Sequence, residues 1–143
     1  MTTSEREGYL IRTIVIILLA GCGAITPLPE PKADRAYVFA ATNCTPCIKE
    51  LPELQAKAPN ANITVYMTDP GITQAKAQEF ADKLGIKFKM GLDPQCRTEY
   101  KKHWSGCVLP AAVLFLGDKW VKKYQPGRVS IDDMVSLLMS REE

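Results

Sequence analysis

Two cysteines stand three residues apart in ATNCTPCIKELP, the stretch from Ala41 to Pro52, between an apolar run and a segment with helix signals. Thiols at this spacing can hold a metal ion, close a permanent staple, or trade electrons as a dithiol–disulfide pair. A staple explains the motif poorly, because so short a loop constrains the unfolded chain little. A structural zinc ion wants four ligands in paired clusters. The later cysteines, Cys96 and Cys107, form no second CxxC, and the one histidine, His103, has no partner at a ligand spacing. No metal or other cofactor is therefore expected, and electron exchange fits Cys44 and Cys47 best.

The chemistry depends on where these residues sit. Cys44 follows a strand-like run and opens a helix, so its sulfur is expected at a helix N-terminus. There, unpaired N–H groups and the helix dipole favour an anion and hold the thiol below its usual pKa range. Cys47 lies one turn further in and is expected to be more buried, placed to resolve a mixed disulfide made by Cys44.

The elements that must position this pair follow from pattern. Residues 36–42 (AYVFAAT) read as a buried strand. A helix then runs through IKELPELQAKA, with Pro52 predicted to kink it. NITVYMT, residues 62–68, is a second strand. After the Asp69-Pro70-Gly71 turn, TQAKAQEFADKL is a helix with Thr73 as N-cap and Gly85 as its stop. Ala77, Phe80, Ala81 and Leu84 share one face of it. KFKMGL is a brief strand, and Asp93-Pro94 opens a helix predicted to run through QCRTEYKKHW. VLPAAVLFLG and KWVKKYQPG form a hairpin around Gly117-Asp118. SIDDMVSLLMS is a last helix capped through Ser130 and Asp133. The order β-α-β-α-β-α-β-β-α predicts an α/β domain: a mixed sheet with parallel pairs at its centre and helices over both faces.

Upstream the sequence changes character. Ile14 to Ala20 is unbroken apolar and follows a polar segment ending at Arg12. It is shorter than the roughly 20 residues that span a bilayer and has the size of a signal-peptide h-region. Glu5 and Glu7 offset Arg6 and Arg12, which is unusual for such a leader. Leu19-Ala20-Gly21-Cys22 resembles the lipobox of bacterial lipoproteins, which implies cleavage before Cys22 and its lipidation. Several acyl chains there anchor a protein stably. The proline-rich segment after Cys22 keeps a tether extended. The expected organisation is thus residues 1–21 as lipoprotein signal peptide, 22–34 as lipidated cysteine and tether, and 35–143 as one compact domain outside the cytoplasm, facing the periplasm. A net charge of +2 and 46% apolar residues fit an ordinary globular domain with no nucleic-acid partner.

A strand ending in Cys-x-Pro-Cys, a helix carrying Pro52, and a later Leu109-Pro110 opening an apolar hairpin together resemble the thioredoxin superfamily. CTPCIKELPEL looks most like its TlpA-like branch of membrane-tethered periplasmic oxidoreductases. The segment from FKMGLDPQC to KKYQPG follows that branch's order of strand, Asp, helix, proline and hairpin. The likeness covers nearly all of residues 35–141. It implies a thioredoxin fold with the CxxC at the N-terminus of the first helix and Cys44 and Cys47 as catalytic residues. It also implies a cis Pro110 that leaves the Leu109 backbone free to pair with an extended substrate segment. Thr45 and Pro46, between the cysteines, would tune the redox potential. Three features depart from the family, the extra Cys96 and Cys107 among them. Asn43 stands where tryptophan is usual, and the YVFAA strand lacks the buried carboxylate that assists the second cysteine in thioredoxins.

With Cys22 lipidated, four cysteines remain, an even number in an exported chain. Three readings of Cys96 and Cys107 stand side by side: a structural disulfide, a second redox pair relaying electrons to or from Cys44–Cys47, or two free thiols. His103 reads as a polar residue near the end of a surface helix, and Trp104 as a packing residue. The resemblance implies a membrane-tethered envelope thiol–disulfide oxidoreductase, a reductase fed by a membrane electron donor and acting on exported cysteine-containing proteins. The alternatives are an oxidase or isomerase of exported proteins, a Cu(I) metallochaperone using soft thiolates, or an interaction scaffold. Related copper chaperones have a wider cysteine spacing and a histidine near the later loop.

Overall fold

The computed structural model describes residues 32–139. The signal segment, Cys22 and most of the tether lie outside the described residues. Five strands form one mixed sheet in the order β3-β2-β1-β4-β5: β1 (Arg35–Ala40), β2 (Ile63–Met67), β3 (Lys89–Leu92), β4 (Ala111–Leu116) and β5 (Lys119–Tyr124). β1, β2 and β3 run parallel, while β4 is antiparallel to both β1 and β5. Three helices connect or close them: α1 (Thr45–Lys57), α2 (Gln74–Leu84) and α3 (Ile131–Met139).

The steps β1-α1-β2 and β2-α2-β3 move the same way across the sheet. Right-handed crossovers therefore lay both helices on one face. The strand period of two sorts the side chains accordingly. Ala36, Val38 and Ala40 of β1, Ile63, Val65 and Met67 of β2, and Ala112 and Leu114 of β4 join the helix-side core. Leu51 and Leu54, Ala77 and Phe80, and Met134 and Leu137 complete it from the three helices. Local signals set the helix ends. The Thr73 hydroxyl accepts the Lys76 N–H at 3.2 Å, Gly85 adopts φ +70° at the α2 stop, and Ser130 Oγ accepts the Asp133 N–H at 3.3 Å. Gly91 in β3 is required by packing, since a Cβ there would come within 2.7 Å of the Tyr66 ring.

The other face differs from expectation. No α-helix runs through residues 95–104; two short 3-10 turns, Pro94–Cys96 and Tyr100–Lys102, take its place. Gln95 and Cys96 both adopt φ +57°, a left-handed conformation that stops a helix at its first turn. The fully buried Asp93 carboxylate accepts the N–H groups of Thr98 at 2.7 Å and Tyr100 at 2.8 Å. Those donors are thereby withdrawn from a helical ladder. Cys96, Tyr100 and Trp104 still reach one surface. They cover Phe39, Ala111, Val113 and Phe115, with the Tyr100 ring edge-on to Phe39 at 5.3 Å. The three α-helices thus share one face of the sheet, and an aromatic-lined connection covers the other.

Candidate active site

β1 stops at Ala40 and α1 begins at Thr45, so residues 41–44 must turn the chain sharply. A long-range tie holds that turn. The Asp69 carboxylate, in the β2–α2 connection, accepts the Thr42 N–H at 3.1 and 3.2 Å and also the Thr42 hydroxyl. The Cys44 N–H donates to the Ala41 carbonyl at 3.1 Å, completing the turn. Cys44 is consequently the N-cap of α1, in extended conformation, and its Sγ accepts the Cys47 N–H at 3.3 Å. A sulfur in the place of a capping oxygen receives one of the helix's four unpaired donors.

Cys44 and Cys47 are disulfide-bonded, with Cα atoms 5.2 Å apart. Their surroundings are unequal: Cys44 is partly exposed, whereas Cys47 is 1% exposed within the helix-side core. A partner molecule can therefore reach only one of the two sulfurs. Thr45 and Pro46 are exposed in the first turn of α1, with the proline where its missing N–H costs nothing. The Leu109–Pro110 peptide bond is cis. Pro110 and Cys47 line one small cavity of about 10 Å³, and half-buried Leu109 packs against both apolar clusters.

No protein-family model matches the chain, and no curated protein matches its sequence. Solved structures do resemble it. A secreted Mycobacterium tuberculosis disulfide oxidoreductase homologous to E. coli DsbE aligns at a TM-score of 0.54 with 18% identity, covering 78% of this chain and 84% of that one. A secreted thiol-disulfide isomerase from Corynebacterium glutamicum aligns at 0.60 with 16% identity, over 74% and 68% of the two chains. The thioredoxin domain of a thiol-disulfide oxidoreductase from Bacteroides vulgatus aligns at 0.58 with 16% identity, over 80% and 81%.

The chain has a thioredoxin fold.

Within this thioredoxin fold, the structure brings a residue to the cysteine pair that sequence reasoning missed. Glu50, one turn beyond Cys47 on α1, lines the cavity shared by Cys47 and Pro110. Its pKa is raised, chiefly because burial disfavours the carboxylate; Glu53 adds to the rise and Lys49 opposes it. The strand side of the same cavity is Val38. The carboxyl group near the second cysteine is thus carried by the helix, not by β1. The available signal was the three-residue spacing from Cys47 to Glu50, which on a helix places both on one side.

Cys96 and Cys107 are also bonded, with Cα atoms 5.6 Å apart. Cys96 lies buried in the left-handed turn and not at the start of an α-helix, while Cys107 is exposed. The Tyr100 hydroxyl accepts the Val108 N–H at 2.9 Å and donates to the Val108 carbonyl at 3.0 Å. The segment that delivers Leu109-Pro110 is therefore pinned at neighbouring points to the connection that covers the sheet. His103 is half-buried against the rings of Trp104 and Phe115, at 5.7 and 5.9 Å. Burial lowers its pKa, and Lys123 lowers it further.

Proposed function

We propose that this chain is a thiol–disulfide oxidoreductase of the cell envelope, exported by residues 1–21, tethered through lipidated Cys22, and working as a reductase of exported cysteine-containing proteins. The observation that carries this reading is the unequal pair at the start of α1: an accessible sulfur receiving a helix N–H, bonded to a buried one beneath Pro110. The solved disulfide oxidoreductases and isomerase of the same fold support it.

In the reduced state the Cys44 thiolate attacks a sulfur of the substrate disulfide and expels the other as a thiolate. A mixed disulfide with Cys44 results. Cys47 then loses its proton, for which Glu50 offers a carboxylate on the cavity wall, and attacks Cys44 Sγ. The substrate's second thiol leaves and the Cys44–Cys47 bond closes. Two electrons have passed to the substrate, and a membrane dithiol donor restores the pair by the same exchange in reverse.

The decisive measurement is the reduction potential of Cys44–Cys47 against glutathione. A value of about −230 mV or lower supports a reductase, and one near −120 mV makes the protein an oxidant. Absence of any exchange refutes the oxidoreductase reading. For the tether, the Cys22→Ser variant is expected to leave the membrane fraction; retention there counts against lipid anchoring.

A further inference from the structure

Beside the redox cysteines, a groove of about 530 Å³ runs between the start of α1 and the length of α2. This falls in the size range of ligand-binding clefts. Its floor is apolar, formed by Ile48, Ile72 and Phe80. Ile48 is 39% exposed, although it is a large apolar residue one helical turn from Cys44, to whose carbonyl its own N–H donates at 3.1 Å. Thr42, two residues before Cys44, closes the near end. Residues on either side of Cys44 in sequence, Thr42 and Ile48, thus line the groove.

The charges on its rim are unequally satisfied. Asp69 is engaged by the N–H and hydroxyl of Thr42. Glu79 is paired with Lys83 at 3.2 Å. Lys76 has no ion-pair partner among the described residues. It also gains nothing from α2, since a cation in the first turn is repelled by the helix dipole.

Resting on the oxidoreductase reading above, we infer that this groove is the specificity site for the substrate segment next to the attacked disulfide. It takes an extended stretch with an apolar side chain on the Ile48–Phe80 floor and a carboxylate at Lys76. The substrate class is therefore exported proteins whose reactive cysteine is flanked by apolar and acidic residues. The chemistry is unchanged by the groove: one substrate disulfide gains two electrons and two protons as Cys44–Cys47 closes.

The test uses the reduced full chain and synthetic peptides whose single cysteine is blocked as a mixed disulfide with thionitrobenzoate. One peptide carries leucine and glutamate around the cysteine, a second replaces glutamate by lysine, and a third replaces leucine by serine. A neutral mixed disulfide of mercaptoethanol reports exchange that needs no groove. The wild-type kcat/KM is expected to favour the acidic peptide over the basic one, with the preference shrinking as salt is added. Lys76→Glu should change the acidic-to-basic ratio by about tenfold in favour of the basic peptide, the scale of a reversed exposed ion pair. Ile48→Ser should lower the leucine-to-serine ratio. Both are ratios within one variant, so a general loss of fold does not imitate them. If mercaptoethanol disulfide is exchanged but neither ratio moves, the groove inference is wrong while the oxidoreductase reading stands. If no disulfide is exchanged, both fail.

Discussion

Removing the Cys96–Cys107 bond tests how the Pro110 segment is held. The bond joins residues 11 apart in sequence. Loop-closure entropy for a ring of that size gives about 3 kcal/mol of stability, acting through the unfolded chain. With roughly 2.1 cal/mol/K of unfolding entropy per residue over a domain of this length, the loss corresponds to a fall in melting temperature of about 12 °C. The hydrogen bonds from Val108 to Tyr100 and from Thr98 and Tyr100 to Asp93 do not cancel this figure. They act in the folded state and leave the unfolded loop open.

The assay is thermal unfolding followed by circular dichroism, in a Cys44→Ser, Cys47→Ser background where reductant acts on the later pair alone. Cys96→Ala with Cys107→Ala, and reduction of the parent, should each lower the melting temperature by about 12 °C. The alanine variant should not respond to reductant at all, because no bond is left to break. A fall below about 3 °C in both experiments would refute the reasoning. It would mean that the unfolded chain already confines residues 96–107, or that Asp93 and Tyr100 alone order the segment.

Two further outcomes follow from the shifted groups. Glu50 has a folded pKa above its unfolded value, so its contribution to stability is present at low pH and is lost as pH rises through the folded pKa. Glu50→Gln should therefore gain stability relative to wild type as pH rises above about 4.3, the ordinary glutamate value, in urea titrations, while slowing release of the substrate thiol in single-turnover kinetics; an unaltered release rate excludes Glu50 from proton transfer at Cys47. His103 has a lowered folded pKa, so its contribution is full above about pH 6.5 and is lost as pH falls through the folded value. His103→Gln should flatten the stability change across that window, and an unchanged slope would show that carboxylates alone set it.

Much of the fold was legible because its punctuation is local. Thr73 and Gly85 bracket α2 by capping one helix each way, and Ser130 starts α3; none needs a distant partner. The short apolar runs in β1 and β4 likewise marked strands before any pairing was known. The segment after Asp93 misled for a physical reason. Asp-Pro followed by Cys96, Tyr100 and Trp104 at four-residue spacing has the form of a capped amphipathic helix. What decides its shape is non-local: a bond from Cys96 to Cys107 and a buried carboxylate that takes the N–H groups of residues 98 and 100. Asp69 looked like a turn former for the same reason, since its bond to Thr42 spans 27 residues. Glu50 stood among Lys49 and Glu53 as an ordinary helix-surface charge until Pro110, brought in from β4, closed a cavity over it.

The position of that carboxylate has a consequence for how the pair can work. On β1 the residue facing Cys47 is Val38, only 4% exposed and packed in the helix-side core. An ionised acid there would be costly, by several kcal/mol for a buried charge without a partner. Glu50 meets Cys47 from the helix and remains partly exposed, so its pKa is raised without the group being sealed from water. In the proposed cycle a proton leaving Cys47 passes to Glu50 and on to solvent, so no carboxylate is sealed in the core. In the proposed reduced state, the Cys47 N–H that caps Cys44 stabilises its thiolate. In the proposed cycle the two sulfurs are activated by different means: the outer one by fixed dipoles, the inner one by a carboxyl group whose own protonation follows the pH outside.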